Sequence, residues 1–499
     1  MRIVPTASAV FVCTVVLLWG VDWAVARTLG NVPVSVHPKT LKLVDEHFRE
    51  VYFHGVNVVV KGFPWVPDIN EFNPLTSFAE KDMQTLEDLG LNSIRLGTMW
   101  PGIEPTNGTY NSSYVQTLYT LIQRAAKHDI YSLLDMHQDV LSEKFCGEGF
   151  PLWATIPDNN SQFPEPAGPP YPVNNDSIPS YADCHSKGWA DYYFTTATGT
   201  AFQNFYSNKY GIRDKWSQAW AYVAKQLGPL GSAILGYELL NEPWSGDATQ
   251  DILLMLPGVA DEVNLQPTWE AGAAAIRAAD TTHAIWFEGV TWDWFNVGFT
   301  DVPGGPAWRN KSVLSYHFYE PPDFNIDTQF SARQDDMKRL GCGGYLTEFY
   351  MQTSVMDKCD ELGQGWMIWE YKPFVHKKTG WATSIWFDNG TMNMEFASNI
   401  SRTYAQHVAG VTQVAKYEHM TKRFVLIYAV DTTYVTSNST LVYFNQAMHY
   451  PNGYTVVATS TAGPGAVKWV LSSTNHITVT HNAAVIGNGG LVTVELSPK

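Results

Sequence analysis

The chain has 499 residues, 45% of them hydrophobic, and its 48 acidic side chains outnumber 32 Lys and Arg to leave a net charge of −16. That length holds one barrel-sized domain plus a smaller one, and the composition excludes a wholly disordered chain. The acidic balance excludes a nucleic-acid binder, which needs a basic face to meet phosphate.

The chain opens with Arg2, an apolar run from Ala9 to Trp19 and the small residues Ala24-Val25-Ala26. This pattern predicts a cleaved secretory leader over residues 1–26; the run is shorter than the roughly 20 apolar residues of a spanning helix. Cys13 leaves with the leader. The four remaining cysteines form an even set in an exported chain, and pairing Cys146 with Cys184 and Cys342 with Cys359 closes two local loops. Their spacing does not match a zinc site, and neither a metal nor a cofactor is expected. Asn-X-Ser/Thr sites at Asn107, Asn111, Asn159, Asn175, Asn310, Asn389, Asn399 and Asn438 fit a secreted glycoprotein of the extracellular fluid, a digestive cavity or a lysosome.

From about residue 50 to 410, apolar strands alternate with helical patterns. Thr76 or Ser77 can cap a helix whose apolar face is Met83, Leu86 and Leu89 and which Gly90 stops. Tyr114, Leu118, Leu121, Ile122 and Ala125 line the next helix. Strands are predicted at 53–57, 93–96, 130–135, 234–240, 284–288, 313–317, 345–348 and 366–369. Eight strands separated by helices predict an α/β fold, a parallel (β/α)8 TIM barrel over residues 27–410. An open doubly wound sheet is disfavoured, because no Gly-rich phosphate loop follows the first strand. Residues 142–189, rich in Pro, Asn and Ser, break this rhythm after the third strand and are predicted to rise over the active face. Beyond residue 410, short β-type runs separated by Asn452-Gly453, Gly463-Pro464 and Gly487–Gly490 predict a small antiparallel β-sandwich over 411–499.

In a parallel barrel the chemistry gathers at the C-terminal ends of the strands. Gly236-Tyr237-Glu238-Leu239-Leu240-Asn241-Glu242 is a buried run ending in an amide and a carboxylate, and Pro243 stops it. A second run, Gly344-Tyr345-Leu346-Thr347-Glu348, also ends in an acid. Hydrolysis of a sugar acetal needs two such groups: one protonates the leaving oxygen, and the other attacks, or orients water, on the opposite face of the ring. Glu242 is the expected general acid, its pKa raised by a negative Glu348. Glu348 is the expected nucleophile, kept ionised by Arg95. Asn241 is placed to bond the sugar 2-hydroxyl, and Asp135, His137 and Asp139 to bond others. His317 and Tyr319 share the two-residue spacing that points side chains the same way, so Tyr319 can donate to the nucleophile. Trp369 offers a face on which a sugar ring can stack. Glu288 and Glu370 are weaker candidates for the acid pair, since neither stands in so clear a strand-then-breaker context.

These motifs resemble glycoside hydrolase family 5, a family of retaining (β/α)8 enzymes, over roughly residues 40–410. Leu240-Asn241-Glu242-Pro243 is similar to the family's acid/base strand and Thr347-Glu348-Phe349 to its nucleophile strand. Arg95, His137, His317, Tyr319 and Trp369 fall where the family carries the rest of its site. Within the family, Gly55–Lys61, Asp135–Asp139 with Gly149–Ala154, and Trp366–Lys372 resemble the endoglycoceramidases. Those enzymes cut between the glycan and ceramide of glycosphingolipids and release both intact. The resemblance implies glycan contacts from Lys61, Asp135 and Asp139, and a glycosphingolipid partner met at a membrane or micelle surface. Leu253–Pro257 is a candidate apolar lip for the ceramide. A monomer is favoured, although nothing in the sequence fixes the oligomeric state. A β-glycanase or β-glucosidase on soluble or polysaccharide glucosides would share the acid pair but need an open polar cleft. A non-catalytic binding protein would have no use for both acids.

Overall fold

The computed structural model describes residues 33–292, 295–323, 325–374, 384–463 and 465–499; the expected leader lies outside the described residues. Eight barrel strands follow in chain order: β1 (His54–Val58), β2 (Ser93–Gly97), β3 (Tyr131–Asp135), β4 (Ile234–Glu238), β5 (Ala284–Glu288), β6 (Ser312–Phe318), β7 (Gly343–Phe349) and β8 (Trp366–Ile368). Each pairs in parallel with its neighbour, and β8 pairs with β1 to close the ring. Their bounds differ by at most two residues from those the periodicity predicts. Helices cover the outside, so the strands are buried on both faces and read as continuous apolar runs.

The helix Ser112–Ala126 is capped by Asn111, whose side chain accepts from the Tyr114 amide, and it buries Tyr114, Leu118, Leu121, Ile122 and Ala125 against the barrel. The helix Glu80–Leu89 starts later than Thr76 or Ser77, because its cap is Ala79. The Asp82 carboxylate accepts from the Ala79 amide at 2.8 Å and from the Ser77 hydroxyl at 3.0 Å. Gly90, at φ 75°, ends this helix in the left-handed conformation glycine adopts cheaply.

Inside the barrel, Leu133, Leu235, Ala284, Trp286, Val313, Tyr345 and Met367 cluster with Val34, Val36, Leu43 and Val51 from the N-terminal segment. These residues lie towards the strands' N-terminal ends. The segment therefore seals that end and leaves the opposite one to polar side chains.

The second domain is a sandwich of a seven-stranded and a four-stranded sheet. Its strands are β9 (Tyr404–Val408), β10 (Val411–Glu418), β11 (Arg423–Ala429), β12 (Ser439–Tyr443), β13 (Tyr454–Ser460), β14 (Val467–Ser473), β15 (His476–His481) and β16 (Leu491–Pro498). The four-stranded sheet runs β10-β11-β16-β13, and β9-β12-β15-β14 form part of the larger one. Three short N-terminal strands, Ser35–Val36, Leu43–Val44 and Glu50–Val51, complete the larger sheet, with Glu50–Val51 antiparallel to β9. A division drawn at residue 410 thus falls between two strands of the sandwich. Local pattern does not predict β9 or β10: β9 is short, and β10 is mostly solvent-facing, without clean alternation.

Cys146 and Cys184 form the expected disulfide, which spans 38 positions of the long loop after β3. Cys342 and Cys359 do not pair; both are free, buried thiols. They lie in the main apolar cluster, just ahead of β7 and in the helix Thr353–Leu362. There they pack as small hydrophobes, and burial pushes the Cys342 thiol up to about 12. Closeness in sequence does not bring two Cβ vectors into bonding geometry.

Candidate active site

Arg95 is fully buried within β2 and binds both polar walls of the barrel mouth. Its Nε donates to Glu238 Oε2 at 2.5 Å, its Nη1 to Glu348 Oε2 at 3.0 Å and Asn57 Oδ1 at 3.1 Å, and its Nη2 to Asn241 Oδ1 at 2.7 Å. Asp135 Oδ1 lies 3.1 Å from Nη2. Burial opposes the charge, but Asp135, Glu238 and Glu348 more than restore it. The other oxygen of Glu348 accepts from the Tyr319 hydroxyl at 2.5 Å. Both oxygens of the expected nucleophile are therefore held in place by hydrogen-bond donors.

Glu242 sits on the turn after β4 at φ 41°, an uncommon conformation for a residue with a side chain. Pro243 ends the strand, and two buried side chains hold the turn. Gln138 Nε2 donates to the carbonyls of Asn241 and Glu242, both at 2.8 Å, and Glu288 Oε2 accepts from the Glu242 amide at 2.9 Å. His317 Nδ1 lies 2.8 Å from Glu242 Oε1 and 4.0 Å from Glu348 Oε1. One carboxylate oxygen from each acid and a His317 ring nitrogen lie within 4.8 Å of one another. That upper bound falls short of the roughly 6.5–9.5 Å of inverting glycosidases and fits the closer pair of retaining ones.

Glu242 is pushed up to about 7, first by burial and then by the charge of Asp139. The expected agent, Glu348, is not among the leading causes. Burial pulls His317 down to about 4, so the ring is neutral at neutral pH.

Lys61, His137, Asp139 and Trp369 form the facing wall. The Lys61 ammonium bonds the Asp139 carboxylate, lies 3.3 Å from Glu148 Oε1 and sits 4.5 Å from the centre of the Trp369 ring. His137 lies nearly parallel to Trp369 at 5.5 Å between ring centres, with Nδ1 2.8 Å from Asp135 Oδ2. Burial opposes its charge, but Asp135 raises it to about 9. Charged donors and acceptors over a half-buried indole suit a polyhydroxylated ring.

All eleven residues expected on sequence grounds to catalyse or to bind the glycan meet at this one mouth. Sequence reading gave no supporting role to Glu238, Gln138, Glu148 or Glu288. Glu238 and Gln138 stand in motifs already singled out, but as interior strand and loop positions they carry no local signal. Glu148 joins because backbone bonds of 2.9 and 2.8 Å pair its segment with Asp139, just after the disulfide cysteine. Glu288, first a rival for the acid pair, instead supports Glu242. Glu148 and Glu370 are raised to about 8, chiefly by burial.

Beyond Glu242 the surface turns apolar. Trp244 packs edge-on against Phe194 and Trp292, and Trp189 contacts Trp292. Trp189 and Phe194 are about half exposed, as are Leu253 and Leu256, while Leu254 is buried. Ser245 and Met255 touch at 3.4 Å, which joins the expected lip to the turn that carries the acid.

Residues 44–390 match the profile described as Cellulase (glycosyl hydrolase family 5), and residues 402–495 match the Glycoside hydrolase family 5 C-terminal domain. The chain is 47% identical over 437 residues to an endoglycoceramidase of Cyanea nozakii, covering 85% of this chain and 86% of the relative. It is equally similar over 429 residues to an endoglycoceramidase of Hydra vulgaris, covering 84% and 82%. In fold it is similar to endo-glycoceramidase II from Rhodococcus sp., with a TM-score of 0.71 at 22% identity, covering 92% of this chain and 99% of that one. With both domains matched and a carboxylate oxygen of each acid within 4.8 Å of the other, the chain belongs to glycosyl hydrolase family 5, on its endoglycoceramidase branch.

Proposed function

We propose that this chain is a retaining endo-β-glycosidase that cleaves the bond between the glycan and ceramide of glycosphingolipids. The observation that carries this reading is the exposed apolar side chains of Trp189, Phe194, Leu253 and Leu256, joined through Trp244 and the Ser245–Met255 contact to the turn that carries Glu242. A lipid aglycone leaves on the side where its oxygen is protonated, so an apolar exit beside Glu242 suits ceramide. The identity to two endoglycoceramidases across both domains supports the same substrate.

The geometry supports a double displacement. The Glu348 carboxylate attacks the anomeric carbon, the bond from that carbon to the ceramide oxygen breaks, and the Glu242 proton passes to that oxygen. A glycosyl ester on Glu348 remains. Water then attacks the same carbon, gives its proton to the Glu242 carboxylate and frees Glu348. Arg95 and Tyr319 hold the nucleophile's oxygens throughout.

The chain is exported and meets its substrate at a membrane or micelle surface. The leader pattern and the disulfide support export, as do sequon asparagines, of which Asn107, Asn159, Asn175, Asn310, Asn389 and Asn438 are exposed. The test is product analysis with a ganglioside and a neutral glycosphingolipid. Intact oligosaccharide plus ceramide is the expected outcome. Cleavage of cello-oligosaccharides without release of ceramide would overturn the substrate and favour a β-glycanase.

A further inference from the structure

The double displacement leaves Glu288 without a task, yet it is buried against the acid/base. Its Oε2 accepts from the Glu242 amide at 2.9 Å, and its Oε1 lies 3.7 Å from His317 Nε2. His317 Nδ1 in turn lies 2.8 Å from Glu242 Oε1. His317 Nε2 is buried and has no hydrogen-bond partner among the described residues. Glu242, Glu288, Glu238, Glu348, Asp135 and Arg95 surround the ring.

A neutral imidazole carries one N–H, and its position matters here. With the hydrogen on Nδ1, the ring donates to Glu242 Oε1, so the acid's own proton rests on Oε2, an oxygen that makes no hydrogen bond among the described residues. With the hydrogen on Nε2, Nδ1 becomes an acceptor and captures the proton that the leaving group needs. A protonated Glu288 selects the first arrangement. Its Oε2 is already an acceptor, so its hydroxyl is Oε1, which faces Nε2 at 3.7 Å, a gap that a shift of about 1 Å brings to hydrogen-bond length.

We propose that Glu288 is a positioning residue, a buried neutral carboxylic acid that fixes the tautomer of His317 and so keeps the transferable proton of Glu242 on Oε2. Burial first, and then the charges of Glu242 and Glu238, hold Glu288 well above the ordinary carboxyl range, as this role requires. The inference rests on Glu242 being the general acid but not on ceramide being the aglycone.

Two substitutions and two substrates test whether Glu288 acts through the acid step, and the tautomer itself is read by NMR. Glu288→Gln offers a carbonyl to the Glu242 amide and an N–H to Nε2, so it should keep wild-type turnover of octyl β-lactoside, whose alcohol must be protonated to leave. Glu288→Leu should lose about 100-fold on that substrate. It should keep its kcat/KM on 2,4-dinitrophenyl β-lactoside, which reports only the first displacement and whose phenolate leaves without a proton. An inactive Glu288→Gln, or a folded Glu288→Leu that loses both substrates equally, would overturn the proposal. Nitrogen-15 NMR of histidine-labelled wild-type protein tests it without turnover or a folded leucine variant. A protonated Nδ1 and a bare Nε2 on His317 are expected, and the reverse would overturn it. A wild type that turns over only the dinitrophenyl lactoside would instead count against Glu242 as the acid, and cleavage of lactosides without ceramide release would count only against the lipid substrate.

Discussion

Arg95 Nη1 lies 3.0 Å from Glu348 Oε2, a bond that ties the second barrel strand to the seventh through the interior. The same guanidinium meets Glu238, Asp135, Asn57 and Asn241, so its fork geometry is used in full. Lysine would keep the charge but reach fewer of these partners. Arg95→Lys is expected to lower kcat by about 100-fold through misplacement of the nucleophile. Arg95→Met, which leaves three buried carboxylates uncompensated, should cost about 3–5 kcal/mol of stability. Steady-state kinetics and chemical denaturation test the two in turn.

Tyr319→Phe removes one donor, 2.5 Å from Glu348 Oε1, and leaves the ring in place. A hydrogen bond to a charged group contributes about 1.5–3 kcal/mol, so kcat should fall about 10- to 150-fold. The fold is expected to be intact, and an unchanged melting temperature checks that.

Glu242 must hold its proton for the first step, and its value of about 7 places the alkaline limb of kcat/KM near neutrality. Asp139→Asn removes a negative charge that raises Glu242. The limb should therefore move to lower pH, whatever the substitution does to KM. A pH profile measured on both proteins decides this.

Stability should fall between about pH 6.5 and pH 9, and the signs of several groups agree in that window. The raised carboxyls Glu242, Glu148 and Glu370 keep their protons in the native state after the unfolded chain has lost them, so native stability drains away as pH rises towards about 8. His137 is raised to about 9, so its contribution is complete below the unfolded value and is lost as pH climbs through 9. Glu370→Gln should flatten this dependence, with a higher melting temperature than wild type at pH 8.5 and a similar one at pH 5.

The disulfide between Cys146 and Cys184 closes 38 positions of loop, and loop-closure entropy gives it about 4 kcal/mol. Cys146→Ser with Cys184→Ser should lower stability by that order. It should also raise KM, because Glu148 stands two residues from Cys146 and braces Lys61. The leaderless protein should show two thiols to a sulfhydryl reagent, Cys342 and Cys359, and only after denaturation.

Much of this was legible in the sequence because periodicity and strand-end chemistry are local. Apolar runs flanked by helices give the eight barrel strands, and a proline after Asn241-Glu242 marks where the strand must stop. What stayed hidden depends on approach in space. The three short N-terminal strands find their partner in β9, at the far end of the chain, and no nearby residue announces it. The reach of Glu288 to the Glu242 amide, and of Gln138 to two carbonyls, follows from a turn whose left-handed backbone the sequence does not display. The second cysteine pair failed for the same reason: proximity along the chain says little about where two side chains point.

The pairing of Glu50–Val51 with β9 also sets an order of events during synthesis. The first described strands emerge early from the ribosome but cannot dock until residues 404–408 follow them out. The barrel's sealed end is thus among the last parts to be completed, and a gene cut after the catalytic region would leave its base with an unpaired edge rather than yield a smaller working enzyme.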